Sequence, residues 1–174
     1  DLPQALTDYD FKMEVVMETA KMLGTISVSG ILTDKDKSPI KKSQVVVTDN
    51  KTGEIAGTYS PNDKGMYYFN IQRGNNYNIS YEADGYLFRS ENIHVPKEKT
   101  YSEINKDILL EKFHKGAKAT LNNVFFDSGK SILRNESNVE LDKVVKLLNN
   151  QLKIKVEIGG HTDNAGKKDA NLKL

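Results

Sequence analysis

The chain carries two hydrophobic patterns in succession. Between residues 24 and 113, short runs rich in Val, Ile, Tyr and Thr alternate with clusters of Gly, Asn, Asp and Pro. The runs are "TISVSGIL", "SQVVVTD", "EIAGTYS", "MYYFNIQ", "YNISYEA", "YLFRSENIHV" and "INKDILLEKF". The intervening "TDKDKSP", "NKTG", "PNDKG", "RGNN" and "DG" supply residues that tolerate left-handed φ. About seven strands spaced about a dozen residues apart, with no helical period between them, predict an all-β antiparallel sandwich.

After "HKGAK" the period changes. "ATLNNVFFD" reads as a strand, and "SGKSILRNES" as a loop with room for one helical turn. In "SNVELDKVVKLLNNQ", Leu141, Val144, Val145 and Leu148 recur at helical spacing, and Ser137 with Glu140 forms a candidate capping box. In "LKIKVEI", Leu152, Ile154, Val156 and Ile158 alternate with Lys153, Lys155 and Glu157, the mark of a strand with one buried face. Strand–helix–strand predicts a right-handed parallel β-α-β unit with the helix layer on one sheet face, hence an α+β domain. The expected division is a tail at 1–23, the sandwich at 24–113 and the α+β segment at 114–174. Within the tail, "FKMEVVMETAKML" reads as either a strand or a short helix.

Charge and composition narrow the function. Of 174 residues, 25 are Lys or Arg and 24 are Asp or Glu, a net charge of +1. Nucleic-acid binding by phosphate neutralisation needs a clustered cationic surplus, so no nucleic-acid partner is expected. The absence of Cys excludes disulfides, thiolate metal sites and Cys nucleophiles. No zinc spacing joins His94, His114 and His161, no cofactor is implied, and no nucleophile–base set marks an enzyme. No apolar run approaches the roughly 20 residues of a membrane helix. "DLPQALTDYD" does not have the form of a signal peptide, and a start other than Met favours an excerpt of a longer protein. Asn78 and Asn135 stand in three-residue glycosylation patterns that are common by chance.

Candidate chemistry gathers at the ends of the two predicted C-terminal strands. If these strands are parallel, Asp127 and Asp163 open on one sheet edge, where open α/β sheets bind ligands. "NAGKKDANLKL" reads as a loop entering a helix whose N–H groups can hold a carboxylate. Carboxylates for an amine and helix-end donors for an acid suit a zwitterion. The competing reading makes these residues turn formers and caps, and an acid/base carboxylate pair is a third. Gly159 and Gly160 let the backbone turn, and His161 is expected to support the turn.

"LNNVFFDSGKSILRNESNVELDKVVKLLNN" followed by "LKIKVEIGGHTDNAGKKDANLKL" resembles the start of an OmpA-like domain, the peptidoglycan-binding module also found in flagellar stator proteins. The resemblance covers about residues 117–174 and implies a mixed sheet with helices on one face. It further implies non-covalent binding, without cleavage, of the diaminopimelate-containing stem peptide. On that basis Asp163 would bind a diaminopimelate amine. Thr162 and Asn164 would shape the loop, Asn171 would match a polar position, and Asp127 would line the same pocket. The family pattern continues with a Ser and an Arg-Ala pair whose arginine clamps the ligand carboxylate. That arginine is not among these residues, so the chain is expected to carry the first half of the domain and to bind poorly alone. So small a half is expected to pack on a second copy or on the sandwich.

The earlier region, with Gly30, Pro39, the "VVV" run, Asp63, Gly65, Gly74 and "ADGY", resembles a carboxypeptidase regulatory-like domain, a transthyretin- or prealbumin-like sandwich. The order of the two units resembles outer-membrane proteins of Bacteroidetes-type bacteria, some associated with type IX secretion. The resemblance therefore implies the periplasmic face of the outer membrane and possible contact with other outer-membrane or secretion-complex proteins. The alternative is a protein- or glycan-interaction module in which the sandwich carries binding. An outward patch built from Tyr59, Tyr67, Tyr68, Tyr77, Tyr81, Tyr86 and Phe88 would favour that alternative.

Overall fold

A computed structural model describes residues 24–98, 101–127, 130–150 and 154–160. The expected tail at 1–23 lies outside them. The described strands are β1 (Thr25–Thr33), β2 (Ser43–Asp49), β3 (Ile55–Tyr59), β4 (Met66–Gln72), β5 (Asn76–Ala83), β6 (Arg89–His94), β7 (Glu103–Asn105) and β8 (Ile108–Leu109). One helix, α1, spans Asn138–Asn150 after a 3-10 turn at Asn135–Ser137.

The strands form two sheets. Sheet I has the order β4-β1-β7, with β8 continuing along β1, and sheet II has the order β3-β2-β5-β6. Alternation drives their packing. In β4, Tyr67, Phe69 and Ile71 turn inward while Met66, Tyr68, Asn70 and Gln72 turn outward. Ile26, Val28 and Leu32 of β1 meet Val45 and Val47 of β2 and Ile79 and Tyr81 of β5 in one core. Tyr59 stacks on Phe69 with ring centroids 4.9 Å apart, and Tyr67 lies against Tyr81 at 5.4 Å. Burial pushes the Tyr81 phenol far above its ordinary range, so the pair stays protonated, with its hydroxyls 3.2 Å apart.

The pairing departs from a purely antiparallel sandwich at one place. β7 and β8 both run parallel to β1. The chain crosses from β6 in sheet II back to sheet I and enters beside the start of β1, so it must run the same way. Between β7 and β8 the ladder is interrupted. Lys106 N–H donates to the Ser29 carbonyl at 2.8 Å, the Tyr67 hydroxyl donates to the Lys106 carbonyl, and the Asp107 carboxylate accepts from Ile31 N–H at 2.9 Å. This close crossing requires Gly30, because a Cβ there would stand 2.0 Å from the Lys106 carbonyl oxygen.

The C-terminal segment differs more. Residues 119–127 form no strand and contribute one isolated bridge, Phe126 with Leu133. Residues 154–160 form no strand or helix and pair with no sheet. The expected parallel β-α-β unit is therefore not formed among the described residues. Parallel strands persist where both faces are covered, whereas Val156 is 51% and Ile158 73% exposed. The helix forms where its period predicts it, yet Val145 of the apolar stripe is 52% exposed. The capping box does not form either. Ser137 Oγ accepts from Phe125 N–H at 2.8 Å and donates to the Phe125 carbonyl, while Glu140 turns toward the sandwich. Of the two packing expectations for this half, the described contacts are with the sandwich.

Candidate functional site

Asp127, Gly159 and Gly160 are the described members of the sequence-predicted site. His161, Thr162, Asp163, Asn164 and Asn171 lie outside the described residues. Asp127 follows the Phe126 bridge and not a regular strand, and it is 49% exposed with two cationic partners. Arg134 Nε donates to its Oδ1 at 2.8 Å and Lys130 Nζ to its Oδ2 at 3.3 Å. The turn itself is pinned by Lys130 N–H on the Asp127 carbonyl at 3.0 Å and by Arg134 N–H on the Phe125 carbonyl at 2.9 Å. The result is a carboxylate with cations on two sides at an exposed turn. Arg134 was not legible as its partner, because a seven-residue separation across a glycine-containing loop has no fixed geometry. Gly159 and Gly160 are exposed, and a Cβ at Gly160 would touch nothing within 4 Å.

A second constellation lies where α1 meets sheet II. The outward side chains there include Gln44 of β2, Asn78, Ser80 and Glu82 of β5, and Ser90 and Asn92 of β6, in registers that pair Gln44 with Glu82 and Ser80 with Ser90. Glu140 of α1 is 0% exposed. Its Oε2 accepts from Asn78 Nδ2 at 3.0 Å, and its Oε1 accepts from Ser90 Oγ and from Asn122 N–H, the latter at 3.1 Å. Lys143 Nζ donates to Asn78 Oδ1 at 2.6 Å and stands 3.7 Å from Glu140. Burial pushes the Lys143 ammonium below its ordinary range, with the Glu140 and Glu82 charges opposing that shift. Lys146 pairs with Glu82 at 3.5 Å. The sequence signal for this site was Asn78 and Ser80 on the outward face of a strongly apolar strand, together with a Glu in the first turn of the helix.

Beside this junction a cleft of 370 Å³ is lined by Lys42, Gln44, Glu82, Tyr86, Lys143 and Leu147, among others. Two of its lysines, Lys143 and Lys146, already face carboxylates. Among the described residues no group of three His, Asp or Glu could hold a metal ion, and no helix is long and apolar enough to cross a membrane.

The aromatic side chains do not assemble into one outward patch. Tyr67, Tyr77, Tyr81 and Phe88 are buried, and Tyr59 and Tyr86 are half-buried and pack on the core. Tyr68 alone of the seven is clearly outward, 59% exposed. Its hydroxyl lies 3.1 Å from the Ser27 hydroxyl on sheet I.

No curated protein matches the chain. Several solved structures are similar to about half of the chain. The Bacillus anthracis TIE protein is 13% identical over 51% of this chain and 17% of its own, with a TM-score of 0.42. A streptococcal ancillary pilin is 12% identical over 51% of this chain and 33% of its own, at 0.40. Catechol 1,2-dioxygenase from Acinetobacter radioresistens is 12% identical over 56% of this chain and 55% of its own, at 0.42. The chain thus spans less than two thirds of each of these proteins, and likenesses this distant carry no functional argument. A family model also matches: residues 125–174, from Phe125 through α1 and the "IGGHTDNAG" stretch, are similar to the OmpA family.

Proposed function

We propose that the protein is a non-catalytic cell-envelope anchor whose OmpA-like segment belongs to a site for non-covalent binding of peptidoglycan. The observation that carries this reading is the OmpA family match over residues 125–174. In the proposed site, Asp163 takes a diaminopimelate amine of the stem peptide, with Thr162, Asn164 and Asn171 shaping the loop. Asp127 lines the same pocket. Its present partners, Arg134 and Lys130, are exposed, so an incoming ammonium competes with pairs that water already screens. The sandwich carries the segment, and the dispersal of its aromatic side chains supports a supporting role over a binding role for it. The envelope location, on the periplasmic face of the outer membrane, and any association with other outer-membrane or secretion-complex proteins follow from the same reading.

The test is cosedimentation with purified sacculi. The 174-residue chain is compared with a chimera that continues past Leu174 with the second half of an OmpA-type domain. The reading expects the chimera to be retained, to be released by a free diaminopimelate-containing peptide, and to lose retention on Asp163→Ala. Retention that ignores both the competitor and the substitution would overturn it.

A further inference from the structure

The outer face of sheet II poses a question that the wall-binding reading leaves open. An antiparallel sheet with a polar outer face ordinarily turns that face to water. Here Asn78, Ser80 and Ser90 on that face are completely buried. The cover is α1 and the segment before it. Asn122 Nδ2 donates to the Ser90 carbonyl at 2.7 Å, and Asn92 Nδ2 donates to Asn123 Oδ1 at 3.1 Å.

The choice of helix face is informative. A helix that settled on the sandwich only for want of a better surface would bury its apolar stripe, since that is where burial is favourable. α1 buries a carboxylate most deeply instead. It presents Glu140 and Lys143 to the sheet, leaves Leu141, Val144 and Leu148 only half-buried, and leaves Val145 exposed. A carboxylate is almost never fully buried unless it is paired, and Glu140 is given three donors and a lysine. The donors come from two strands of the sandwich and from the segment that leads into the helix. Such a set is complementary in position and in charge.

We propose that the outer face of sheet II is a docking surface whose occupant is α1, keyed by Glu140, so that the sandwich and the OmpA-like segment turn as one body. The helix is then a shared element. Its Glu140–Lys143 side belongs to the sandwich, and Val145, with the half-buried Leu141, Val144 and Leu148, leaves apolar surface for the sheet of the OmpA-like unit. The docking stands on the contacts themselves. Its bearing on the wall site, which would be held at a fixed orientation to the sandwich, rests on the function proposed above.

The absence of cysteine makes a clean test available. Two spin labels are placed on the full chain through Lys51→Cys, in the β2–β3 turn, and Asp142→Cys, on the exposed side of α1; both positions are exposed. Pulsed dipolar spectroscopy should give one narrow distance distribution. In the same background Glu140→Ala should widen it at least twofold and add longer distances. Glu140→Gln keeps the side-chain shape but turns one acceptor into a donor facing Asn78 or Ser90. It should also widen the distribution, and it decides the matter if the alanine variant does not fold. Near-ultraviolet circular dichroism of the buried tyrosines reports that the sandwich is intact. A broad distribution in the unsubstituted background, or a narrow one that survives both substitutions, would overturn the proposal. Neither result depends on whether sacculi are bound.

Discussion

Replacing Gly30 with alanine isolates one steric requirement of this fold. Gly30 does not need left-handed φ; it needs the absence of a side chain. A Cβ would lie 2.0 Å from the Lys106 carbonyl oxygen, 2.6 Å from its carbon and 2.9 Å from the Tyr67 hydroxyl. An ordinary contact begins at 3.4 Å, so the backbone at Lys106 must retreat by more than 1 Å. That retreat strains or breaks the Lys106 N–H bond to Ser29, the Tyr67 bond to Lys106 and the Asp107 bond to Ile31 N–H. Two such bonds at about 1 kcal/mol each, with about 1–3 kcal/mol for overpacking, give a loss of roughly 3–5 kcal/mol. Gly53 provides the control. Its φ is +75° but nothing lies within 4 Å of the would-be Cβ, so Gly53→Ala should cost only the left-handed strain, about 1–2 kcal/mol. Urea unfolding followed by tyrosine fluorescence suits a chain with eight Tyr and no Trp. If Gly30→Ala costs no more than Gly53→Ala, the close crossing at Lys106 is not what holds β7 and β8 in place.

Three other substitutions probe separate links. Tyr67→Phe removes a hydroxyl shared by Tyr81 and the Lys106 carbonyl and should lower stability by about 1–3 kcal/mol, read as a shift in urea midpoint at constant slope. Burial alone would raise the Glu91 carboxyl, but hydrogen bonds from Lys106 and Arg89 overcome it and hold the group below the ordinary carboxylate range. Its contribution is therefore fully present above the ordinary carboxylate range and is lost as pH falls through the lower folded value. Urea midpoints at pH 7 and pH 3 should converge more in Glu91→Gln than in the unsubstituted chain. Arg134→Ala breaks an exposed pair and should change stability by less than about 1 kcal/mol; a larger loss in thermal unfolding would mean that the turn around Asp127 depends on it.

The β half of the chain was legible because its signals are local and agree with one another. Alternation in "MYYFNIQ" and "SQVVVTD" sets which face is buried, and the turn clusters between them set where each strand stops. What alternation could not supply was the direction of the last strands. That depends on the crossover from sheet II and on a single glycine that admits it. In the C-terminal half the helical period located α1 but did not say which side would meet the sandwich. The contact with the sandwich is made through Glu140, while Val145 of the apolar stripe is exposed. A capping-box reading of Ser137 and Glu140 rests on the same two residues, and tertiary partners outcompeted the local bonds. Of the two expected C-terminal strands, residues 119–127 contribute only the Phe126–Leu133 bridge, and residues 154–160 pair with no strand among the described residues. Pairing is a property of two segments, and no single segment announces it. Asp127 was identified as a candidate, while Arg134 at its side was not.

The parallel pairing of β1 with β7 and β8 also fixes how the sandwich meets tension. Its first strand and its last two strands lie side by side and point the same way. The chain therefore enters the sandwich at one pole and leaves it at the other. A pull along the chain would slide these strands lengthwise past each other and would not peel them apart from one end. The ladder bonds of β7 and β8, the Lys106–Ser29 bond and the Asp107–Ile31 bond between them would then carry the load together and not one after another.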